Sequence, residues 1–174
     1  MKNTISKFCL IVLLLVGISA SAFSQMKPAK MLPPKVKRIV TIKAPANEVW
    51  KLIASLEKVE EYAPAIVKSS SADGQGRDAV REMKMVDGSD RLETVLIFDP
   101  DNKHICFIPF DEYMPAEYVA VHIYVTAQGP NKCKVSYRGY LNVKEGQSEG
   151  KLIRQLGSEF TQTLNGLKAY MEAQ

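Results

Sequence analysis

Apolar residues early in the chain switch from the spacing of a strand to the spacing of a helix. The segment VKRIVTIKA (36–44) is rich in β-branched residues and predicts a strand. Pro45 suits the first turn of a helix, where its missing N–H costs nothing. A second helical turn, LEKVEEYAP, ends at Pro64, because the residue before a proline avoids helical conformation. The apolar positions at helical spacing between the two prolines begin with Ala46, Val49, Trp50, Ile53 and Leu56.

From residue 66 the spacing of apolar residues changes to two, which is typical of strands. The turn sequences DGQG, DGS, DPDN and QGPNK separate about six such strands. The segment 148–173 then returns to helical spacing, and about 24 helical residues would extend about 36 Å, enough to cross a sheet. The apolar residues along one side of this helix are Leu152, Leu156, Phe160, Leu164, Leu167 and Met171.

This order of elements predicts an α+β fold of the helix-grip type. No helical crossover separates consecutive strands, so we expect a seven-stranded antiparallel sheet. The sheet must curve around the long C-terminal helix, with two short helices between strands 1 and 2. Because a curved sheet around a helix does not close completely, we expect an internal cavity with the short helices as one wall.

The N-terminal residues have the three parts of a secretory signal peptide. Lys2 and Lys7 precede an unbroken apolar run at 8–18, and small residues surround candidate cleavage sites after Ala22 or Ser24. The apolar run is too short to act as a stable membrane anchor. We therefore expect the mature protein to be secreted or periplasmic.

These boundaries predict a signal peptide at 1–24, a proline- and lysine-rich leader at 25–35 and one domain at 36–174. A chain of 174 residues that is 46% hydrophobic suits one such domain. Two of the 23 basic residues leave with the signal peptide, so the mature net charge is about +2 instead of +4. Without a basic cluster, nucleic acid is not an expected partner. The sequence predicts no oligomeric state.

Several segments, in their order and spacing, resemble the START-related helix-grip superfamily, also called SRPBCC or polyketide cyclase/lipid transport-like, in its secreted bacterial members. The resemblance covers about residues 36–172. The segments that carry it are IVTIKAPANEVWKLI, YAPAIVKS, GQGRDAVREMKMVDG, MPAEYVAVHIYV, CKVSYRGYL and LGSEFTQTLNGLKAY. The resemblance implies an internal cavity for a hydrophobic or amphipathic small molecule, a lipid-like ligand. It does not identify that molecule, because the fold carries binders, transfer proteins and a few enzymes.

Alternation of side chains along each strand predicts which residues face the cavity. In CKVSYRG we expect Cys133, Val135 and Tyr137 to face inward, and in REMKM the two methionines with Arg81. The predicted ligand-binding cavity is lined by Arg81, Met83, Met85, Leu92, Phe107, Tyr118, Tyr137, Leu156, Phe160 and Leu164. An apolar pocket with a few polar groups is the usual form of a small-molecule site.

Two of these assignments have alternatives. Met83 and Met85 suit a pocket that adapts to a flexible guest, but they would occupy the same face as simple core residues. Arg81 either fixes one polar end of a guest or forms a surface salt bridge with Asp78 or Glu93.

The facing of two further strands depends on their register. In RLETVLIF we expect Leu92, Leu96 and Phe98 to face inward with Thr94, leaving Arg91 and Glu93 outside. In EYVAVHIYV either Tyr118, Ala120, His122 and Tyr124 face inward, or a bulge turns Ile123 and Val125 inward instead. The spacing in the family favours the bulge, near His122.

The two cysteines that follow the predicted signal peptide, Cys106 and Cys133, are expected to be free and buried. In the helix-grip sheet their strands are separated by a third strand, which places their backbones about 9.5 Å apart. A disulfide requires less than about 7 Å between the Cα atoms.

The sequence has no motif that predicts a catalytic residue, a metal site or a cofactor. It contains no H-E-x-x-H and no C-x-x-C, and no base lies near Ser69, Ser70 and Ser71. DGQGR at 73–77 lies between strands and predicts a hairpin turn. His104 follows a turn, so we expect a solvated residue at the end of its strand.

Three functions are compatible with these features. The first is binding or transport of a lipid-like molecule, with access gated by the loop DEYMPAEY (111–118) and Met114. The second is a cyclase, dehydratase or hydrolase that uses Arg81, Tyr137 or His122, which a buried His122 near an acidic group in the pocket would favour. The third is an accessory protein of a periplasmic redox enzyme, which a filled core and an exposed apolar patch would favour.

Overall fold

The architecture was obtained as a computed structural model, which describes residues 32–110 and 114–174. The predicted signal peptide and residues 25–31 of the predicted leader lie outside the described residues and stay predictions. In chain order the elements are β1 (Val36–Ile42), α1 (Ala46–Ala54), α2 (Val59–Tyr62), β2 (Val67–Asp73), β3 (Val80–Met85), β4 (Asp90–Asp99), β5 (His104–Phe110), β6 (Ala116–Ala127), β7 (Cys133–Val143) and α3 (Glu149–Glu172).

The strands form one seven-stranded antiparallel sheet in the order β1-β7-β6-β5-β4-β3-β2. Each strand from β2 to β6 pairs with the next along the chain, and β1 pairs with β7. The sheet is curved and α3 lies against its concave face. The predicted α+β helix-grip fold, with two short helices between strands 1 and 2, is therefore confirmed.

The two short helices are separated by backbone in the left-handed region. Pro45 precedes α1 as the pattern predicted, and Leu56 and Lys58 then adopt φ angles of 65° and 60°. Neither residue can continue a right-handed helix in that conformation, so the chain turns and starts α2. Leu56 is nevertheless buried and anchors the turn in the core. The side of α1 that packs on the core consists of Ala46, Val49, Trp50 and Ile53.

A capped N-terminus and one glycine set the position of α3. The Ser148 hydroxyl accepts a hydrogen bond from the Lys151 N–H, which stabilises the first turn. Near the other end, α2 approaches so closely that a Cβ on Gly166 would lie 2.1 Å from the carbonyl oxygen of Tyr62. Gly166 therefore allows Tyr62 to reach the space beneath α3. The buried side of α3 consists of Leu152, Leu156, Gly157, Phe160, Leu164, Leu167 and Met171.

The facing of β4 is opposite to the prediction. The hairpin of β3 and β4 pairs Arg81 with Glu93 and Met83 with Arg91. Partners directly across an antiparallel pair share a face, so Glu93 and Arg91 face the interior with their partners. The prediction that Leu92 faces inward is wrong, because Leu92 lies on the outer face and is 41% exposed.

A bulge in β4 then reverses the alternation. The register with β5 shifts between Val95 and Ile97. Leu96, also predicted inward, is exposed, while Phe98 beyond the bulge packs against the core. The ring centroids of Phe98 and Trp50 are 5.7 Å apart. The prediction that Phe98 faces inward is thus correct, but it depends on the bulge and not on strict alternation along β4.

The facing of β6 follows the second of the two predicted alternatives, but with the bulge elsewhere. The register with β7 shifts between Ala116 and Tyr118, well before His122. Ile123 and Val125 are buried on the inner face, and His122 lies on the outer face. Tyr118 is 44% exposed.

Candidate functional site

A cavity of about 60 Å³ lies between α3 and the concave face of the sheet. Helix α2 forms part of its wall, as the sequence predicted for both short helices, whereas no residue of α1 lies on the lining. Seven of the ten residues predicted for the lining are brought together here: Arg81, Met83, Met85, Phe107, Tyr137, Leu156 and Phe160. Whether they bind a ligand stays a prediction.

Three predicted lining residues lie elsewhere. Leu92 faces outward because of the β3–β4 register. Tyr118 is exposed because the β6 bulge precedes it and Val119 takes the inward position. Leu164 is fully buried, about one turn of α3 beyond Phe160, and packs in the core rather than against the cavity.

An ion pair between Arg81 and Glu93 lies on the lining of this cavity. The side chains are 7% and 10% exposed. The Arg81 Nε donates to Glu93 Oε2 at 3.2 Å, and a terminal nitrogen of the guanidinium donates to the same oxygen. The guanidinium carbon also lies 4.2 Å from the ring centroid of Phe107. Burial alone would lower the pKa of Arg81, but the Glu93 charge beside it raises this pKa, so the guanidinium stays charged.

Two buried tyrosines complete the polar centre. Burial raises the pKa of Tyr62, and that of Tyr137 well above its usual range, although the Arg81 charge acts in the opposite direction. Both hydroxyls therefore stay protonated at neutral pH. The Tyr137 ring packs edge-on against Phe160, with centroids 5.5 Å apart. We name Tyr62, Arg81, Glu93 and Tyr137 the polar centre.

Sequence reasoning missed two members of the polar centre. Tyr62 is brought in by Gly166, a close approach that only three-dimensional packing reveals. Glu93 could have been found from the turn at Asp87–Ser89, because that hairpin pairs odd-numbered positions with odd-numbered positions.

A second ion pair joins the sheet to the helix at the rim of the cavity. A terminal nitrogen of Arg91 lies 3.0 Å from Glu159 Oε2, and the side chains are 11% and 19% exposed. Arg91 belongs to β4 and Glu159 to α3. This pair therefore holds α3 against the sheet beside the polar centre.

The two histidines form a separate cluster on the outer face. His104 Nε2 and His122 Nδ1 are 2.9 Å apart, and the His104 ring stacks on Tyr124. His104, predicted to be solvated, is half-buried because of these contacts. Burial lowers the pKa of both histidines. His122 does not line the cavity. The structure therefore does not support a catalytic role for His122 in this pocket.

The cysteine prediction is confirmed. Cys106 and Cys133 are both buried and free. They lie on β5 and β7, which are separated by β6. Burial raises the pKa of the Cys106 thiol to about 11. Within residues 32–110 and 114–174, no group of three or more His, Cys, Asp or Glu side chains is placed to hold a metal ion.

The family follows from a comparison of the sequence with family profiles. Residues 33–172 match the profile described as polyketide cyclase/dehydrase and lipid transport. The chain belongs to this family. The match spans the whole sheet and α3, in agreement with the resemblance of the separate segments. No curated protein matches the sequence of this chain significantly.

Solved structures show the same fold at low sequence identity. An uncharacterized protein from Bacillus thuringiensis is 20% identical with a TM-score of 0.69, covering 78% of this chain and 97% of that protein. A START superfamily protein from Mycobacterium smegmatis is 12% identical with a TM-score of 0.66, covering 79% and 97%. Norcoclaurine synthase from Thalictrum flavum is 13% identical with a TM-score of 0.63, covering 78% and 92%. In the part of the chain that the structure describes, no helix is long and apolar enough to cross a membrane.

Proposed function

We propose that this family member binds a small, predominantly apolar molecule with one polar group in the cavity between α3 and the sheet. The observation that carries this proposal is the polar centre inside walls of methionine, leucine and aromatic side chains. A buried ion pair is often no more stabilising than well-packed apolar residues in its place. Its position in the core therefore supports a role in binding rather than in stability alone.

The cavity must enlarge to admit a guest. A volume of about 60 Å³ corresponds to roughly two water molecules, whereas small-molecule pockets usually exceed roughly 300 Å³. Met83 and Met85 can change rotamer to make room, because their side chains are unbranched and flexible. Separation of Arg91 from Glu159 would widen the rim.

One residue of the predicted gate belongs to the cavity lining. Met114 lines the cavity, and residues 111–113 of the predicted gating loop lie outside the described residues. A guest that replaces water in the enlarged cavity would gain roughly 25 cal/mol for each Å² of apolar surface removed from water.

We also propose that the protein works outside the cytoplasm. The support is the order of Lys2 and Lys7, the apolar run at 8–18 and the small residues up to Ser24. N-terminal sequencing of the protein recovered from culture medium or periplasm would test this. A start at residue 23 or 25 is expected, and recovery of the whole chain in the cytosol would contradict it.

Catalysis on the bound molecule is a second candidate. Its support is the juxtaposition of the Glu93 carboxylate with the hydroxyls of Tyr62 and Tyr137. The raised pKa of Tyr137 suits a hydrogen-bond donor or general acid and not a base. Turnover of a bound guest, followed by mass spectrometry, would distinguish this candidate from simple binding.

Binding can be tested with N-phenyl-1-naphthylamine, an uncharged probe that fluoresces in apolar surroundings. We expect saturable binding by the wild type, and binding at least tenfold weaker by Val121→Phe, which fills the cavity. Leu92→Ser, on the outer face, is the matched control and should bind as the wild type does. Equal binding by Val121→Phe would place the probe outside the cavity and contradict the proposal.

An absence of probe binding by the wild type would instead favour the accessory-protein alternative. The small cavity and several exposed apolar side chains support that alternative. Leu92 and Phe110 are paired across β4 and β5 on the outer face, and Leu92, Phe110 and Tyr118 are 41%, 66% and 44% exposed.

A further inference from the structure

The charge on Arg81 is already matched inside the cavity. Two of its nitrogens donate to one oxygen of Glu93, and the guanidinium packs over the Phe107 ring. The pair is almost completely shielded from water. The other ion pair on the lining, Arg91 with Glu159, also joins one cation to one anion. Among the residues that the structure describes, the charges that line the cavity therefore sum to zero.

We propose that Glu93 sets the charge selectivity of the cavity, which admits uncharged amphipathic molecules carrying one carbonyl or hydroxyl oxygen and excludes carboxylates. This inference rests on the proposed function and names the class of guest. Its basis is that Glu93 already accepts hydrogen bonds from two nitrogens of Arg81, while Phe107 packs against the same guanidinium.

A carboxylate guest would have to displace Glu93 from Arg81. Glu93 would then be a buried anion without its cation, which is strongly unfavourable. If the carboxylate entered beside the intact pair instead, a second anion would lie in a shielded space near Glu93, where repulsion is strong.

An uncharged oxygen meets neither obstacle. Tyr62 and Tyr137 line the same cavity, and their hydroxyls stay protonated because burial raises the pKa of each. Each can donate a hydrogen bond to a carbonyl oxygen or exchange one with a guest hydroxyl. The apolar body of the guest would contact Met83, Met85 and Phe160.

The test compares guests that share a chain length and differ in charge. 2-Octanone, 1-octanol and octanoate are titrated at pH 7.5 against the protein loaded with N-phenyl-1-naphthylamine. For the wild type we expect the two uncharged guests to displace the probe at concentrations at least tenfold lower than octanoate does. Octanoate that displaces the probe as well as 2-octanone does would overturn the inference.

Glu93→Gln removes the negative charge and leaves that of Arg81. We expect the preference for 2-octanone over octanoate to fall at least tenfold in this variant. Glu82→Gln is the matched control: Glu82 is exposed on the outer face of β3, and its loss changes the net charge equally. The control should keep the wild-type preference. A preference that changes equally in both variants would attribute selectivity to net charge and overturn the inference.

The outcomes separate the two proposals. If the wild type binds the probe without discriminating between the guests, the charge selectivity fails and the proposed binding function stands. If the wild type does not bind the probe, both fail. Should Glu93→Gln not fold, the double variant Arg81→Gln/Glu93→Gln provides the comparison, because it removes both charges. Because it lacks the Glu93 charge that repels a carboxylate, its preference for 2-octanone over octanoate should be weaker than that of the wild type, and an undiminished preference would overturn the inference.

Discussion

Arg81 and Glu93 face each other across β3 and β4, and they place a complete ion pair inside the core instead of on the surface. The sequence left Arg81 between a pocket role and a surface salt bridge with Glu93. Glu93 is indeed the partner of Arg81, but the ion pair lies in the cavity and not on the surface. The pair is therefore both a structural contact and the centre of the candidate site.

Removal of one member of this pair should destabilise the protein more than removal of both. We expect Arg81→Met and Glu93→Leu each to lower the free energy of unfolding by about 3–5 kcal/mol, because each leaves a buried charge unmatched. The double variant should lie within about 1 kcal/mol of the wild type or above it. Urea denaturation of the four proteins measures these values.

The exposed ion pair between Lys84 and Asp90 provides the control on the same two strands. Its side chains are 68% and 74% exposed, and the two charged atoms are 3.0 Å apart. Lys84→Met should change the free energy of unfolding by less than about 1 kcal/mol. If Glu93→Leu costs no more than Lys84→Met, the Arg81–Glu93 pair does not have the buried character described above.

Gly166→Ala should separate α2 from α3. The added methyl group would lie 2.1 Å from the Tyr62 carbonyl oxygen, which is backbone and cannot rotate away. We expect a loss of about 1–3 kcal/mol in the free energy of unfolding, typical of overpacking, together with weaker probe binding because Tyr62 moves. Gly150→Ala on the same helix meets only the end of the Arg154 side chain at 3.6 Å. That control should be neutral or gain up to about 1 kcal/mol, and a loss equal to that of Gly166→Ala would contradict the close approach.

The histidine pair should make stability fall in mild acid. The folded state lowers the pKa of His104 and His122 by burial, opposed at His104 by Asp99 and reinforced by Arg138. The unfolded chain therefore binds more protons below its ordinary histidine pKa of about 6.5. The contribution of the neutral histidines to stability should be fully present above that pH. It should be lost as the pH drops below about 6.5 toward the lower pKa values of the folded state.

Thermal unfolding between pH 8 and pH 5 measures this dependence. The double variant His104→Gln/His122→Asn keeps polar atoms near the two ring nitrogens that are 2.9 Å apart, but it cannot take up protons. Its melting temperature should change less over this range than that of the wild type. A wild type whose stability rises toward pH 5 would show that the sign of the shifts is wrong.

Elements with strong local patterns were predicted reliably from the sequence. The break between α1 and α2, the hairpins and the long apolar side of α3 depend on spacing, prolines and turn residues, which are local properties. The order of β5, β6 and β7, and hence the free state of Cys106 and Cys133, followed from the same elements.

The errors arose where one residue of register decides the facing. Leu92 and Leu96 are more apolar than Arg91 and Glu93, so hydrophobicity alone predicted the wrong inner face for β4. The structure overrides it because Arg81 and Glu93 match each other's charge, which makes their joint burial tolerable. Bulges between Val95 and Ile97 and between Ala116 and Tyr118 change the alternation without a clear sequence pattern.

The central claim is that the cavity beneath α3 receives a guest, and methionine methyl NMR during a titration with 2-octanone tests it most directly. Met83 and Met85 line the cavity, whereas Met171 is buried near the end of α3 and does not contact it. We predict saturable shifts of the Met83 and Met85 methyl signals while the Met171 signal stays in place. Unchanged Met83 and Met85 signals, or equal shifts of all three, would contradict a guest in this cavity.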